Sequence, residues 1–288
     1  MATAKEWLAG ARPRTLPAAV VPVLVASAGA GAKGHFVYDR AALALVVSLA
    51  IQIATNYSND YSDGKKGTDD VRVGPMRLVA SGIAPARAVL VAAILSFSIA
   101  AVAGLVLALI SSPYLLIVGA FALAAGWFYT GGKHPYGYIG LGEVFVFVFF
   151  GLTAVVGTYF VQVGKIGVFP VILSIPVGFL AVALLVINNL RDIATDETAN
   201  KMTLAVRLGD GRTRTLYQSL VLAAFLLALV LDAFRPFAFV ALLALPFAIR
   251  PIRLVRQGST GRDLIGVLGL TGRLQIIFGA CLALGLLL

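Results

Sequence analysis

Charge is what this chain has least of. Only 12% of its 288 residues are charged, and only 13 are Asp or Glu. A soluble globular domain carries about 25% charged residues, so an ordinary water-soluble fold is excluded. The single cysteine, Cys281, can form no intrachain disulfide and reads as a small packing residue in the last apolar run. The two histidines, His35 and His134, fall in loops on opposite sides of the expected membrane and argue against a histidine-built metal site. No Walker lysine loop and no Gly-x-Gly-x-x-Gly after a strand is present, which argues against a nucleotide. Trp7–Arg14 is polar and basic, so no cleavable signal is expected.

Apolar runs fill the space that charge leaves. Hydrophobic residues make up 60% of the chain, and the mean hydropathy is +0.95. These values predict an all-α polytopic membrane protein. Nine candidate spans are expected, at about 15–33, 41–59, 88–110, 113–130, 139–161, 167–188, 215–233, 236–250 and 264–288. The eighth is short, and Pro246 is a candidate kink. No soluble domain or low-complexity tract interrupts them, so residues 1–288 are read as one domain around a central cavity.

The net charge of +10 would suggest nucleic acid in a soluble chain. Here the basic residues follow membrane topology instead, and no nucleic-acid partner is expected. With the N-terminus in the cytosol, only Lys33, Arg40, Lys165 and Arg235 fall on the outer side, and Arg273 falls within the last span. Every other Lys and Arg falls on the cytosolic side, as the positive-inside rule requires. This predicts a plasma-membrane protein with its C-terminus outside. The two long connections, about 60–87 and 189–214, then lie in the cytosol, four spans apart. They suggest a weak four-helix repeat and a cytosolic cap over the cavity.

More than half of the acids sit in those two places: Asp60, Asp63, Asp69 and Asp70 in the first, Asp192, Asp196 and Glu197 in the second. Asn56, Asp60 and Asp63 share one helical face, as do Asn188, Asp192 and Asp196. Carboxylates beside apolar helices are costly unless they pair or bind a cation. Two such faces brought together would form an oxygen cage suited to Mg²⁺. Cations follow each stretch: Lys65, Lys66, Arg72 and Arg77 in the first, Lys201 and Arg207 in the second. Carboxylates for Mg²⁺ and cations for the remaining charge are what a diphosphate needs. The apolar helices around them suit a long lipid tail, so the expected substrate is a polyprenyl diphosphate. A cation-coupled transporter stays open as an alternative, although a transporter site should lie nearer the midplane.

The residues that carry a family likeness are Arg12–Pro17, Asn59-Asp60-Tyr61-Ser62-Asp63 with Lys66–Asp69, Gly74–Arg77, Tyr129–Gly132, Gly140–Glu143 with the aromatic run to Gly151, and Asn188–Asp196 through to Gly209. Across nearly the whole chain they resemble the UbiA superfamily of intramembrane prenyltransferases, and within it the branch acting on 1,4-dihydroxy-2-naphthoate. The resemblance implies Mg²⁺-dependent prenyl transfer to that aromatic acid, with loss of diphosphate and CO₂, giving demethylmenaquinone. Another aromatic acceptor within the superfamily is the nearer alternative. It implies catalytic Asp60, Asp63, Asp192 and Asp196, with Asn56 and Asp69 as further metal ligands. Lys66, Arg72, Arg77 and Lys201 are the implied diphosphate contacts. Asn188, Tyr138, Glu143 and Arg273 are candidates for the aromatic substrate, with Arg273 also a candidate partner of Glu143. The chain departs from the commoner pattern at Gly64, where a second aspartate usually stands, so either Asp63 or Asp69 completes the first metal site.

Overall fold

The computed structural model describes residues 2–68 and 74–288, and every regular element among them is helical. Thr3 and Glu6 form a capping box that starts α1 (Ala4–Gly10). A 3₁₀ turn at Pro13–Thr15 follows, and the chain bends by 54° into α2 (Pro17–Gly31). Next come α3 (Tyr38–Lys66), α4 (Ala86–Ile110) and α5 (Tyr114–Phe128). A bent span follows, built from α6 (Gly142–Val146), a π-helical stretch over Phe147–Thr153, and α7 (Ala154–Val163). The chain ends with α8 (Val168–Thr198), α9 (Leu204–Asp232), a 3₁₀ segment at Ala238–Ala244 running into α10 (Leu245–Arg256), and α11 (Asp263–Leu287).

Helices stand at all nine expected positions, but length does not make nine crossings of them. Among the described residues seven are long and apolar enough to cross a membrane, or eight if the bent pair at Ala4–Gly31 forms one span. Helix α5 has 15 residues, short of the ~20 that span the hydrocarbon core. The cap also differs from expectation. Helix α3 runs to Lys66 and α8 to Thr198, so both acidic faces belong to continuous helices. The second long loop shrinks to residues 199–203, because α9 begins at Leu204 and absorbs the rest, with a break at Gly209 (φ 74°).

The core gathers around α8, the most enclosed of the long helices. Leu173, Leu180 and Ile187 of α8 belong to one cluster with Tyr217 and Phe225 of α9 and Leu274 and Phe278 of α11. Where the π-helical stretch meets α8, Gly151 and Gly178 lie face to face; a Cβ at Gly151 would come within 2.8 Å of the Gly178 backbone. Small residues let membrane helices approach this closely. The π turn widens the helix at that contact, and Phe149 and Phe150 line the cavity beside it.

Candidate active site

Helices α3 and α8 line one cavity of about 250 Å³, with α2, α4, α5 and the α6–α7 span closing the remaining walls. Its far end is apolar, lined by Val23, Leu107, Leu115 and Val161. Its mouth is polar and charged. Along α3 the lining runs from Ala44 to Asp63, nineteen residues or about 28 Å at the helical rise.

On α3 the polar wall is Gln52, Asn56, Asn59 and Asp63, a straight i, i+4, i+7, i+11 stripe. Asn59 was not among the expected ligands. It is buried, and its Oδ1 accepts a hydrogen bond from the Thr130 hydroxyl at 2.8 Å. Asn56 fastens the N-terminal bend to α3: its Nδ2 donates to the Ala11 carbonyl at 2.9 Å and to Thr15 Oγ1 at 3.1 Å. Asp63 is buried, accepts from the Tyr138 hydroxyl at 2.9 Å, and faces the Lys201 ammonium at 3.3 Å.

Asp60 has a different place from the one expected. It is buried on the adjoining face of α3 and is not among the residues lining the cavity. Its two oxygens accept the backbone N–H groups of Leu78 and Val79, at 2.8 and 3.0 Å. One turn further along that face is Gly64, where a Cβ would meet the Val79 side chain at 2.6 Å. The departure at Gly64 therefore has a steric reason: the 78–79 turn docks there, leaving no room for a carboxylate. Gly67 then ends α3 in the left-handed region (φ 73°), with the Thr68 N–H returning to the Asp63 carbonyl at 3.1 Å.

Across the cavity, α8 contributes Asn188, Asn189, Asp192 and Asp196. Arg191 grips Asp192 with two bonds of 2.7 and 2.6 Å, and also donates to Asn188 Oδ1 at 2.9 Å. Lys201 lies 3.7 Å from Asp196, so one ammonium links the acidic faces of the two helices. Between the carboxylates of the expected oxygen cage stand the cations of Arg191 and Lys201. Among the described residues, no group of three His, Cys, Asp or Glu stands ready to hold a metal. Protein cations occupy those positions instead, since buried carboxylates need compensation.

The other expected residues separate by location. Arg77 is buried and lines the mouth. Lys66 directs its ammonium to the carbonyls of Thr130 (2.8 Å) and Gly132 (3.3 Å), above the Tyr138 ring. Tyr138 is not a lining residue but the brace for Asp63. Glu143 is buried and accepts from Asn189 Nδ2 at 2.9 Å. Arg273 does not pair with Glu143; it is exposed and lies over the Phe247 ring at 5.3 Å. Asp69 and Arg72 lie outside the described residues. Two further residues line the cavity. Arg12, at φ 54°, donates to the Asn56 carbonyl at 3.3 Å. Tyr129 joins it at the cavity wall.

A charged mouth above a long apolar chamber, inside a bundle of membrane-crossing helices, defines a multi-pass membrane protein with an amphiphilic cavity. The model of the UbiA prenyltransferase family matches residues 19–265, and the chain belongs to that family. It is 51% identical over 284 residues to a 1,4-dihydroxy-2-naphthoate octaprenyltransferase of Mycobacterium tuberculosis, covering 98% of this chain and 97% of that one. It is 35% identical to the protein of the same name from Escherichia coli, over 88% of this chain and 85% of that one. Solved structures share the fold. A UbiA homologue from Aeropyrum pernix superposes with a TM-score of 0.72 at 18% identity, over 92% of this chain and 97% of that one. One from Archaeoglobus fulgidus, bound to DMAPP and Mg²⁺, gives 0.65 at 15% identity, over 96% and 98%.

Proposed function

We propose that the protein transfers a polyprenyl group from polyprenyl diphosphate to 1,4-dihydroxy-2-naphthoate, releasing diphosphate and CO₂ and giving the quinol form of demethylmenaquinone. The observation that carries this reading is the Lys201 bridge between Asp63 and Asp196 at the mouth of an apolar chamber. Two carboxylates on facing helices already clasp one cation there. The donor set suits Mg²⁺: carboxylates of Asp63, Asp192 and Asp196, with the amide oxygen of Asn59 beside them. The lysine stem is flexible enough to yield that place and turn to a phosphate. The relatives named for the same reaction support the choice of acceptor.

Mg²⁺, when bound, neutralises charge on the departing diphosphate. The chain's own cations do the rest of that work: Lys201, Arg77 and Arg12 line the mouth where the diphosphate would lie. The prenyl tail lies along the apolar wall, where Phe145, Phe149 and Tyr129 surround the first allylic carbons. As the C1–O bond loosens, positive charge gathers on the allyl group and faces these rings. The closed chamber keeps water from it. The electron-rich ring of the acceptor then forms the new C–C bond at the carbon bearing the carboxylate. That carboxylate leaves as CO₂, and its bonding electrons restore the ring.

We further infer that α5 crosses with the rest to complete nine spans, that the N-terminus and charged mouth face the cytosol, and that residues 74–85 and 199–203 cover the mouth. The basic residues on that side support the orientation. The test is purified protein in detergent with radiolabelled prenyl diphosphate and a panel of aromatic acids. Prenylated product is expected with 1,4-dihydroxy-2-naphthoate, with turnover lost in EDTA and restored by Mg²⁺. Full turnover in excess chelator would sink the metal assignment, and preference for another aromatic acid would sink the acceptor.

A further inference from the structure

Asn188 and Asn189 are consecutive, both line the cavity, and their side-chain amides are held in opposite senses. Arg191 donates to Asn188 Oδ1 at 2.9 Å, which leaves the amide N–H₂ of Asn188 as its available end. Asn189 donates its Nδ2 to Glu143 Oε1 at 2.9 Å, which leaves its carbonyl oxygen as the available end. The chemistry of the partners fixes both senses: a guanidinium only donates, and a carboxyl oxygen accepts. Asn188 also borders a second chamber, whose lining includes Arg12, Arg14 and Arg77, on the basic side of the mouth. Asn189 borders the main cavity and not that second chamber.

Glu143 makes this arrangement costly and therefore informative. Its carboxyl group is 6% exposed inside a span, and its Oε2 has no hydrogen-bond partner among the described residues. It is not among the residues lining the cavity. A buried carboxyl with one unpartnered oxygen is destabilising on its own. What it does in exchange is hold one neighbour, Asn189, in a single orientation.

We infer that Glu143 is a positioning residue for acceptor choice: through Asn189 it turns a carbonyl oxygen toward the cavity, beside the N–H₂ of Asn188, so that the pair reads an aromatic ring carrying a hydroxyl next to a carboxylate. The ring hydroxyl donates to Asn189 Oδ1, and the carboxylate accepts from Asn188 and faces the arginines of the side chamber. This rests on the proposed aromatic acid substrate and adds which residues recognise its substituents. A site built to hydrogen-bond a hydroxyl rejects the analogue that lacks it far more strongly than an apolar pocket can.

The experiment compares Glu143→Gln and Glu143→Leu with the unaltered protein. Gln retains an acceptor oxygen for Asn189; Leu does not. For Glu143→Leu, KM for 1,4-dihydroxy-2-naphthoate should rise about tenfold or more, the loss of one oriented hydrogen bond. KM for the prenyl diphosphate and the thermal midpoint in detergent should stay close to the unaltered values. Discrimination against 2-naphthoate, which lacks the hydroxyls, should shrink in parallel, and Glu143→Gln should restore most of both. A fall in kcat with unchanged acceptor KM, or equal loss in Gln and Leu, overturns the inference. Direct binding of the two naphthoates, followed by quenching of their fluorescence, separates this from the reaction itself. If the unaltered protein binds the hydroxylated acid selectively but transfers nothing, the reaction assignment fails and the recognition stands. If Glu143→Leu binds both acids as the unaltered protein does, the recognition fails.

Discussion

Asp60 and Asp63 are three residues apart, both buried, and placed to do different work. Asp60 accepts two backbone N–H groups of the 78–79 turn, while Asp63 faces the cavity and Lys201. Asp60→Asn exchanges an acceptor for an N–H₂ group that meets a backbone donor. It should lower the thermal midpoint by several degrees, on the order of 1–3 kcal/mol. Asp63→Asn should leave the midpoint nearly unchanged and raise the Mg²⁺ needed for half-maximal rate at least tenfold. A thermal scan and a Mg²⁺ titration on each variant check the division; reversed results would return Asp60 to the cavity. Lys201 gives a second prediction. Lys201→Met removes the cation that competes for the acidic faces, so Mg²⁺ should stabilise this variant at lower concentration. The same change removes a phosphate partner, and KM for prenyl diphosphate should rise about tenfold. An unchanged Mg²⁺ dependence of the thermal midpoint would mean that the ammonium does not occupy the metal's place.

At the scale of elements, the join between α3 and the turn after it governs the mouth. Gly64 admits the Val79 side chain, Asp60 holds its amide, and buried Arg77 precedes it at the cavity. Gly64→Ala places a methyl within 2.6 Å of Val79 and should push the turn, and Arg77 with it, out of position. Activity should fall tenfold or more. Val79→Ala on its own should cost less, and the double variant should recover most of the activity, because the two changes share one space. Additive losses would show that the turn is held elsewhere. The asymmetry between the two acidic helices belongs to this scale as well. Helix α8 carries its own arginine for Asp192, whereas α3 depends on Lys201 from beyond the end of α8.

For the whole molecule, the two faces of the membrane differ in charge, and the orientation can be read with single cysteines. In a Cys281→Ser background, Thr198→Cys and Lys165→Cys place thiols at exposed positions, the first at the end of α8 and the second in the connection before its start. A membrane-impermeant maleimide added to intact cells should label the Lys165 position only, and the Thr198 position only after the membrane is opened. Labelling of the Thr198 position in intact cells would invert the proposed topology. The exposed apolar residues of α4 and α5, such as Leu95, Ile99, Leu109 and Phe121, need no partner chain to explain them, since lipid covers such faces.

Much of this was legible along the chain, because hydropathy and charge act locally. Apolar runs separated by turn residues placed helices at nine positions, the scarcity of acids drew attention to two stretches, and the cations after them pointed to an anionic head group. Spacing alone could not choose between faces. Asn56, Asp60 and Asp63 satisfy helical spacing as well as Asn56, Asn59 and Asp63 do; the docking of the 78–79 turn on Asp60 leaves Asn59 rather than Asp60 among the residues lining the cavity. The stripe Gln52, Asn56, Asn59, Asp63 was a signal that could have found Asn59 beforehand. The segments holding Arg12 and Asn189 carried the family likeness, but nothing local gave either a role: Arg12 reaches the cavity through a bend, and the orientation of Asn189 depends on a carboxylate forty-six positions earlier. Nor could composition foretell that Lys201 and Arg191 stand where an acid cage was expected, since a buried charge takes whichever partner the packing brings nearest. The sequence by itself determined the membrane, the helices and the chemistry of the head group. Tertiary structure decided which side chains meet, because long-range contacts set which face of each helix is turned toward the cavity.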